Sequence, residues 1–187
     1  MDETPTYTAF LGETLIASGP LETLLPAVKA RFDRDASALF LIFEDHSGRQ
    51  VDFDLRGAVN EVVARALPVP PRPGPGRPKL GVVSREVSLL PRHWDWLEQQ
   101  PNGASAALRR LVDEARKRDP GKERARLATE AAGRILSAMA GNLPGYEEAS
   151  RALYAGNRAR FEDLIRDWPC DIRAYMQRRV EDAFATP

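Results

Sequence analysis

Cysteine is nearly missing from this 187-residue chain, and histidine is almost as scarce: Cys170 stands beside only His46 and His93. One thiol cannot close an internal disulfide, and one thiol with two imidazoles falls short of a structural zinc site, so neither a disulfide nor a metal is expected. Long apolar runs are missing too. The longest, such as Ala38 to Phe43, are far below the roughly 20 residues of a membrane-spanning helix, so no membrane association is expected. The N-terminus lacks a basic-then-apolar signal pattern, which makes a cytoplasmic location the expectation. No Gly-rich phosphate loop follows a strand, because Gly74 and Gly76 lie among prolines; no cofactor is expected.

An excess of charge of either sign is also absent. The 27 basic and 27 acidic residues cancel, which taken whole argues against a nucleic-acid binder. Their distribution reverses that impression. Residues 1–71 hold 6 basic and 11 acidic side chains, residues 72–118 hold 10 and 5, and residues 119–187 hold 11 and 11. A local excess of this size can meet several phosphates, while the acidic N-terminal part limits indiscriminate adhesion to DNA.

Residues 6–18 carry two β-rich runs broken at Gly12 and Glu13, which predicts a hairpin. Leu21, Leu24, Leu25, Val28 and Phe32 recur at helical spacing and predict a helix over 20–33. Ala38 to Phe43, a turn at Asp45-His46-Ser47-Gly48, and the alternating Val51-Asp52-Phe53-Asp54-Leu55 predict a second hairpin. A short helix over 58–66 closes an N-terminal ββαββ domain at 1–67. Six prolines between Pro68 and Pro78 make 68–81 a proline- and arginine-rich basic arm or linker. Beyond it, 82–118 reads as strand, helix and helix, with Val82 to Leu90 extended and helices over 91–100 and 104–118. Residues 119–187 read as a C-terminal helical bundle punctuated at Gly141–Gly145, Ala155-Gly156-Asn157 and Trp168-Pro169. The fold class is α+β.

Carboxylate pairs occur at Asp52/Asp54, Glu147/Glu148 and Glu162/Asp163, but nothing in the sequence gives them the water-poor pocket that acid–base work needs, so they read as solvated faces. Cys170 reads as a buried structural thiol. The protein is expected not to be an enzyme.

In Ser84 to Ala115 the first helix places Trp94 and Leu97 on one face, and the second places Leu108, Leu111, Val112 and Ala115 at i, i+3, i+4 and i+7. Gly103 suits the left-handed position that ends the first helix, and Ser105 suits the N-cap of the second. This segment resembles the ribbon-helix-helix family of bacterial DNA-binding proteins. That resemblance implies a homodimer whose paired strands enter the major groove of double-stranded DNA. Strand alternation would turn Val87 and Leu89 into the shared core and Ser84, Glu86 and Ser88 toward base edges. The turn Asn102-Gly103-Ala104-Ser105 would set helix N-terminal amides against a phosphate. Glu86 departs from the family pattern, since phosphate repels it unless it accepts from a cytosine amino group; Leu90 stands where a polar residue is common. In the arm, Gly76-Arg77-Pro78-Lys79 resembles the core of an AT-hook, which implies that Arg77 and Lys79 hold a narrow minor groove or phosphates.

Taken whole, the chain also resembles a bacterial family catalogued as domain of unknown function 2239, through Gly76 to Val83, Leu89 to Trp94, Leu111 to Ala115 and Ser137 to Gly141. The expectation is a dimeric, nucleoid-associated or regulatory DNA-binding protein. The alternative is a non-enzymatic interaction or assembly module without DNA, built on Leu90, Trp94, Trp96 and the aromatic-bearing C-terminal helices.

Overall fold

Alternation of apolar side chains along the first and third strands makes both faces of a small sheet apolar, and that governs the architecture. The structure, a computed structural model, describes residues 4–67 and 83–185. Strands β1 (Tyr7–Leu11), β2 (Thr14–Gly19), β3 (Phe40–Glu44) and β4 (Arg49–Gln50) form an antiparallel sheet in the order β2-β1-β3-β4. Helix α1 (Leu21–Phe32) connects the two hairpins, so the expected ββαββ order is present. Helix α2 (Val59–Ala66) follows, with the Ala58 N–H donating to Glu61 Oε2 at 2.9 Å.

Ala9, Ile42 and their half-buried neighbours Tyr7 and Phe40 face α1 and α2, where Leu24, Leu25, Val28 and Val62 complete one apolar layer. Phe10, Phe43 and the half-buried Leu41 face the other way, into a second layer with C-terminal residues Ile135, Leu136, Ile172, Tyr175 and Met176. A bulge in β2 opposite Ala9 and Phe10 serves both layers: Leu15 joins the second, while Ile16 and Ala17 join the first.

Two expectations change here. The first is the division into separate N-terminal and C-terminal domains. The described residues of 1–68 and 121–187 form one compact unit, because a sheet apolar on both faces needs a helical layer on each. Helices α5 (Pro120–Ala140), α6 (Tyr146–Tyr154), α7 (Arg158–Leu164) and α8 (Cys170–Arg179) supply the second layer. Close fits fix the docking. Gly48, at φ 65°, lies so near α5 that a Cβ there would come within 2.1 Å of the Ala131 carbonyl oxygen, and Arg134 Nη1 donates to the Ser47 carbonyl at 2.7 Å. The Leu15 N–H donates to Asp171 Oδ2 at 2.9 Å, tying β2 to the start of α8.

The second change concerns Val51–Leu55. Pairing stops at Gln50, apart from the Val51 N–H donating to the Ile42 carbonyl at 2.8 Å. Beyond that the chain leaves the ladder, and Val51, Phe53 and Leu55 join the layer under α1. Phe53 meets Tyr7 edge-on at 6.3 Å.

The second unit is Val69–Pro120, whose described part contains α3 (Pro91–Glu98) and α4 (Gly103–Arg118). Val82–Leu90 is expected to be an extended strand; its described residues, 83–90, have no ladder partner among the described residues. No described helix is long and apolar enough to cross a membrane.

Candidate functional site

Pro91 opens α3 because its missing N–H is not needed in a first turn, and α3 ends at Gln99. The chain then turns through Asn102, at φ 65° and ψ 14°, and Gly103, at φ 78°. Asparagine tolerates this left-handed conformation better than most side chains, so Asn102, not Ser105, is the N-cap of α4. Ser105 is three residues further on, inside the first turn.

The Asn102 side chain makes no capping bond, and the first turn of α4 holds no acidic residue. Asn102, Gly103 and Ser105 are exposed. The Gly103 N–H is spent on the Gln100 carbonyl at 3.1 Å, so the amides beyond it in the first turn are the ones that the helix dipole offers to an anion. Two arginines border the turn. Arg109 folds back so that Nε donates to the Ser105 carbonyl at 3.2 Å and Nη2 donates to Ser105 Oγ at 3.0 Å. Arg110 Nη2 donates to Gln100 Oε1 at 3.2 Å. Arg109 is not among the residues that the sequence singles out, although its four-residue spacing from Ser105 places both on one helix face.

Ser84, Glu86 and Ser88 are exposed on the segment before α3. Arg77 and Lys79 lie outside the described residues. The turn and Arg109 are thus the expected and added groups that the structure places together.

The apolar side of this unit is thinly covered. Among its described residues Leu97 and Ala107 are buried, whereas Val87, Leu90, Trp94, Trp96, Leu111 and Val112 are exposed, Val112 by 56%. A groove of about 290 Å³ with almost wholly apolar walls lies along Leu89, His93, Trp96, Leu97, Leu108 and Leu111.

In the larger unit a buried polar cluster joins the sheet to α8. Asp45 Oδ1 accepts from Thr8 Oγ1 at 2.8 Å and from the Tyr175 hydroxyl at 2.9 Å. Arg179 lies over the Tyr175 ring at 5.8 Å. Burial first, then the charge of Asp45, pushes the Tyr175 phenol well above its ordinary range, so it holds its proton and acts as a donor. Of the carboxylates considered for acid–base work, Glu147 and Glu148 pair with Arg151, Glu162 with Arg158, Asp163 with Arg160 and Arg166, and Asp54 with Arg56. Cys170, expected to be buried, is exposed and donates to Asp171 Oδ1 at 3.4 Å; that carboxylate raises its pKa. Among the described residues no group of three or more His, Cys, Asp or Glu side chains is placed to hold a metal ion.

Fold and site together define an α+β protein with a four-stranded antiparallel sheet between helical layers, and a second unit whose described residues carry two helices. The chain belongs to the family described as "Uncharacterized protein conserved in bacteria (DUF2239)", whose profile matches residues 6–180. No curated protein matches the chain, and no solved structure matches it.

Proposed function

We propose that this protein is a dimeric DNA-binding protein, regulatory or nucleoid-associated, that contacts duplex DNA through residues 83–118 in a ribbon-helix-helix-like manner. The observation that carries the reading is the α3–α4 corner: exposed Asn102 and Gly103 in left-handed conformation, no acid in the following turn, and the Arg109 guanidinium folded onto that turn. Such a corner accepts a backbone phosphate with its amides and one cation.

The uncovered apolar face supports the dimer. A unit of this size whose described residues bury little more than Leu97 and Ala107 needs further apolar cover. A second copy would supply it, pairing Val83–Leu90 with its own counterpart and drawing Val87 and Leu89 inward. Ser84, Glu86 and Ser88 would then meet base edges, Glu86 accepting from cytosine, and Arg77 and Lys79 would hold the minor groove or phosphates.

The test is a fluorescence-anisotropy titration with A·T-rich and G·C-rich duplexes at two salt concentrations, with mass read by light scattering. Micromolar or tighter binding by a dimer, falling steeply with salt, is the expected result. No binding at low salt overturns it. The second reading, an interaction module without DNA, is favoured by the apolar groove along Leu89, Trp96 and Leu111, which suits an apolar protein anchor.

A further inference from the structure

Where Val51–Leu55 peels away from β3, it leaves an open cleft of about 300 Å³ on the α1 side of the sheet. Three half-buried rings line it: Phe32 from the end of α1, Phe40 from the start of β3, and Phe53 from the departing segment. Ile42 and Leu55, both buried, line it as well. The volume is at the low end for a small-molecule site, enough for a ligand with one ring or a short branched chain.

Charge along the cleft decides the chemistry of the ligand. Asp54 and Arg56, both lining residues, satisfy each other: Arg56 Nε donates to Asp54 Oδ1 at 2.8 Å and Nη2 donates to Oδ2 at 3.1 Å. That fork holds the Asp54 carboxyl down at about 2. Asp52 is different. It lines the same cleft, is exposed, and has no hydrogen bond or ion pair with any described residue. The lining therefore carries one uncompensated negative charge beside three aromatic rings, whose faces attract cations. Phe32 already shows this behaviour, with Lys29 Nζ 5.9 Å from its centroid while that lysine is ion-paired to Asp33.

We infer that this cleft is a binding site for a small organic cation, an aryl or alkyl ammonium whose apolar body rests among Phe32, Phe40 and Phe53 and whose charge is met by Asp52. An anionic ligand would face Asp52 with no uncommitted lining cation to offset it. A neutral ligand would leave the carboxylate without a partner. The inference stands apart from the DNA reading, since it uses no residue of 83–118.

The test is a titration of the full-length protein with phenethylammonium and benzyltrimethylammonium, followed by changes in the protein's NMR spectrum, with 3-phenylpropionate and 3-phenylpropanol as anionic and neutral controls. Saturable binding of both cations, at least fivefold tighter than either control, is expected. Asp52→Asn, at an exposed position, should leave the fold intact by circular dichroism and weaken cation binding at least threefold. Equal binding of the cations and the neutral alcohol, an unchanged affinity in D52N, or no saturable shift with either cation overturns the assignment.

Discussion

The Tyr175 hydroxyl reaches 130 residues back along the chain to donate to Asp45 Oδ1 at 2.9 Å. Thr8 Oγ1 donates to the same oxygen and also meets Ser18 Oγ at 2.9 Å. The cluster is thus a polar lock in which the β3–β4 turn, β1 and α8 meet. A buried acceptor that has lost a donor costs more than the mean worth of a hydrogen bond suggests. Tyr175→Phe should destabilise the protein by about 1–2 kcal/mol, and Asp45→Ala by about 2–4 kcal/mol, because it strands two buried donors. Urea denaturation reads both; equal stability in Y175F would show that water replaces the bond.

The same pair sets an alkaline dependence. The Tyr175 pKa is raised in the folded protein from an ordinary value of 10.0. Below pH 10 both folded and unfolded states hold the proton, so the group adds no pH dependence. Above it the unfolded state releases the proton first, so stability is lost as pH rises toward the folded value. The Tm of the wild type should fall more steeply above pH 10 than that of Y175F, and parallel slopes would count against this burial.

Gly48 and Gly12 offer a paired test of how the sheet meets α5. Both have left-handed φ, 65° and 58°, but a Cβ at Gly12 meets nothing within 4 Å whereas one at Gly48 meets the Ala131 backbone. Gly12→Ala should cost about 1 kcal/mol from backbone strain alone. Gly48→Ala should cost about 3 kcal/mol or more, since α5 must shift as well. Similar Tm losses in the two variants would mean that the close approach is not rigid.

Val112 tests the proposed dimer without threatening the protomer, because it is 56% exposed. Val112→Lys should shift light-scattering mass from dimer to monomer and leave the urea midpoint of the larger unit unchanged. A retained dimer would place the interface elsewhere.

Arg109→Ala removes the cation folded onto the first turn of α4. DNA affinity should drop about three- to tenfold at every sequence, with the salt slope reduced by about one. The double variant Arg77→Ala, Lys79→Ala should flatten the slope further; an unchanged slope removes the arm from the mechanism.

Much of this architecture is legible in local periodicity. The spacing of Leu21, Leu24, Leu25 and Val28 marks α1, and the runs around Gly12 mark the first hairpin. Val51-Asp52-Phe53-Asp54-Leu55 misleads because alternation requires only that one side be buried, and a chain tucked under a sheet edge satisfies that as well as a strand does. The second helical layer has a trace in the unbroken apolar run Phe40–Phe43, which a sheet open to water on one face would not carry. The Asp45–Tyr175 lock has none, since Asp45 reads as an ordinary turn residue and its partner lies 130 residues away. At the candidate interface, the turn at Asn102-Gly103 is readable from composition. Which residue caps α4 depends on a dihedral angle that serine and asparagine patterns do not separate.

The most direct test of the DNA-binding claim is amide hydrogen exchange of the full chain with and without a 20-base-pair duplex at low salt. The account predicts slowed exchange at 83–90 and at the Ala104 and Ser105 amides, with the β1–β3 amides unchanged. Unchanged exchange at both segments in the presence of saturating duplex, or protection confined to the larger unit, would contradict it.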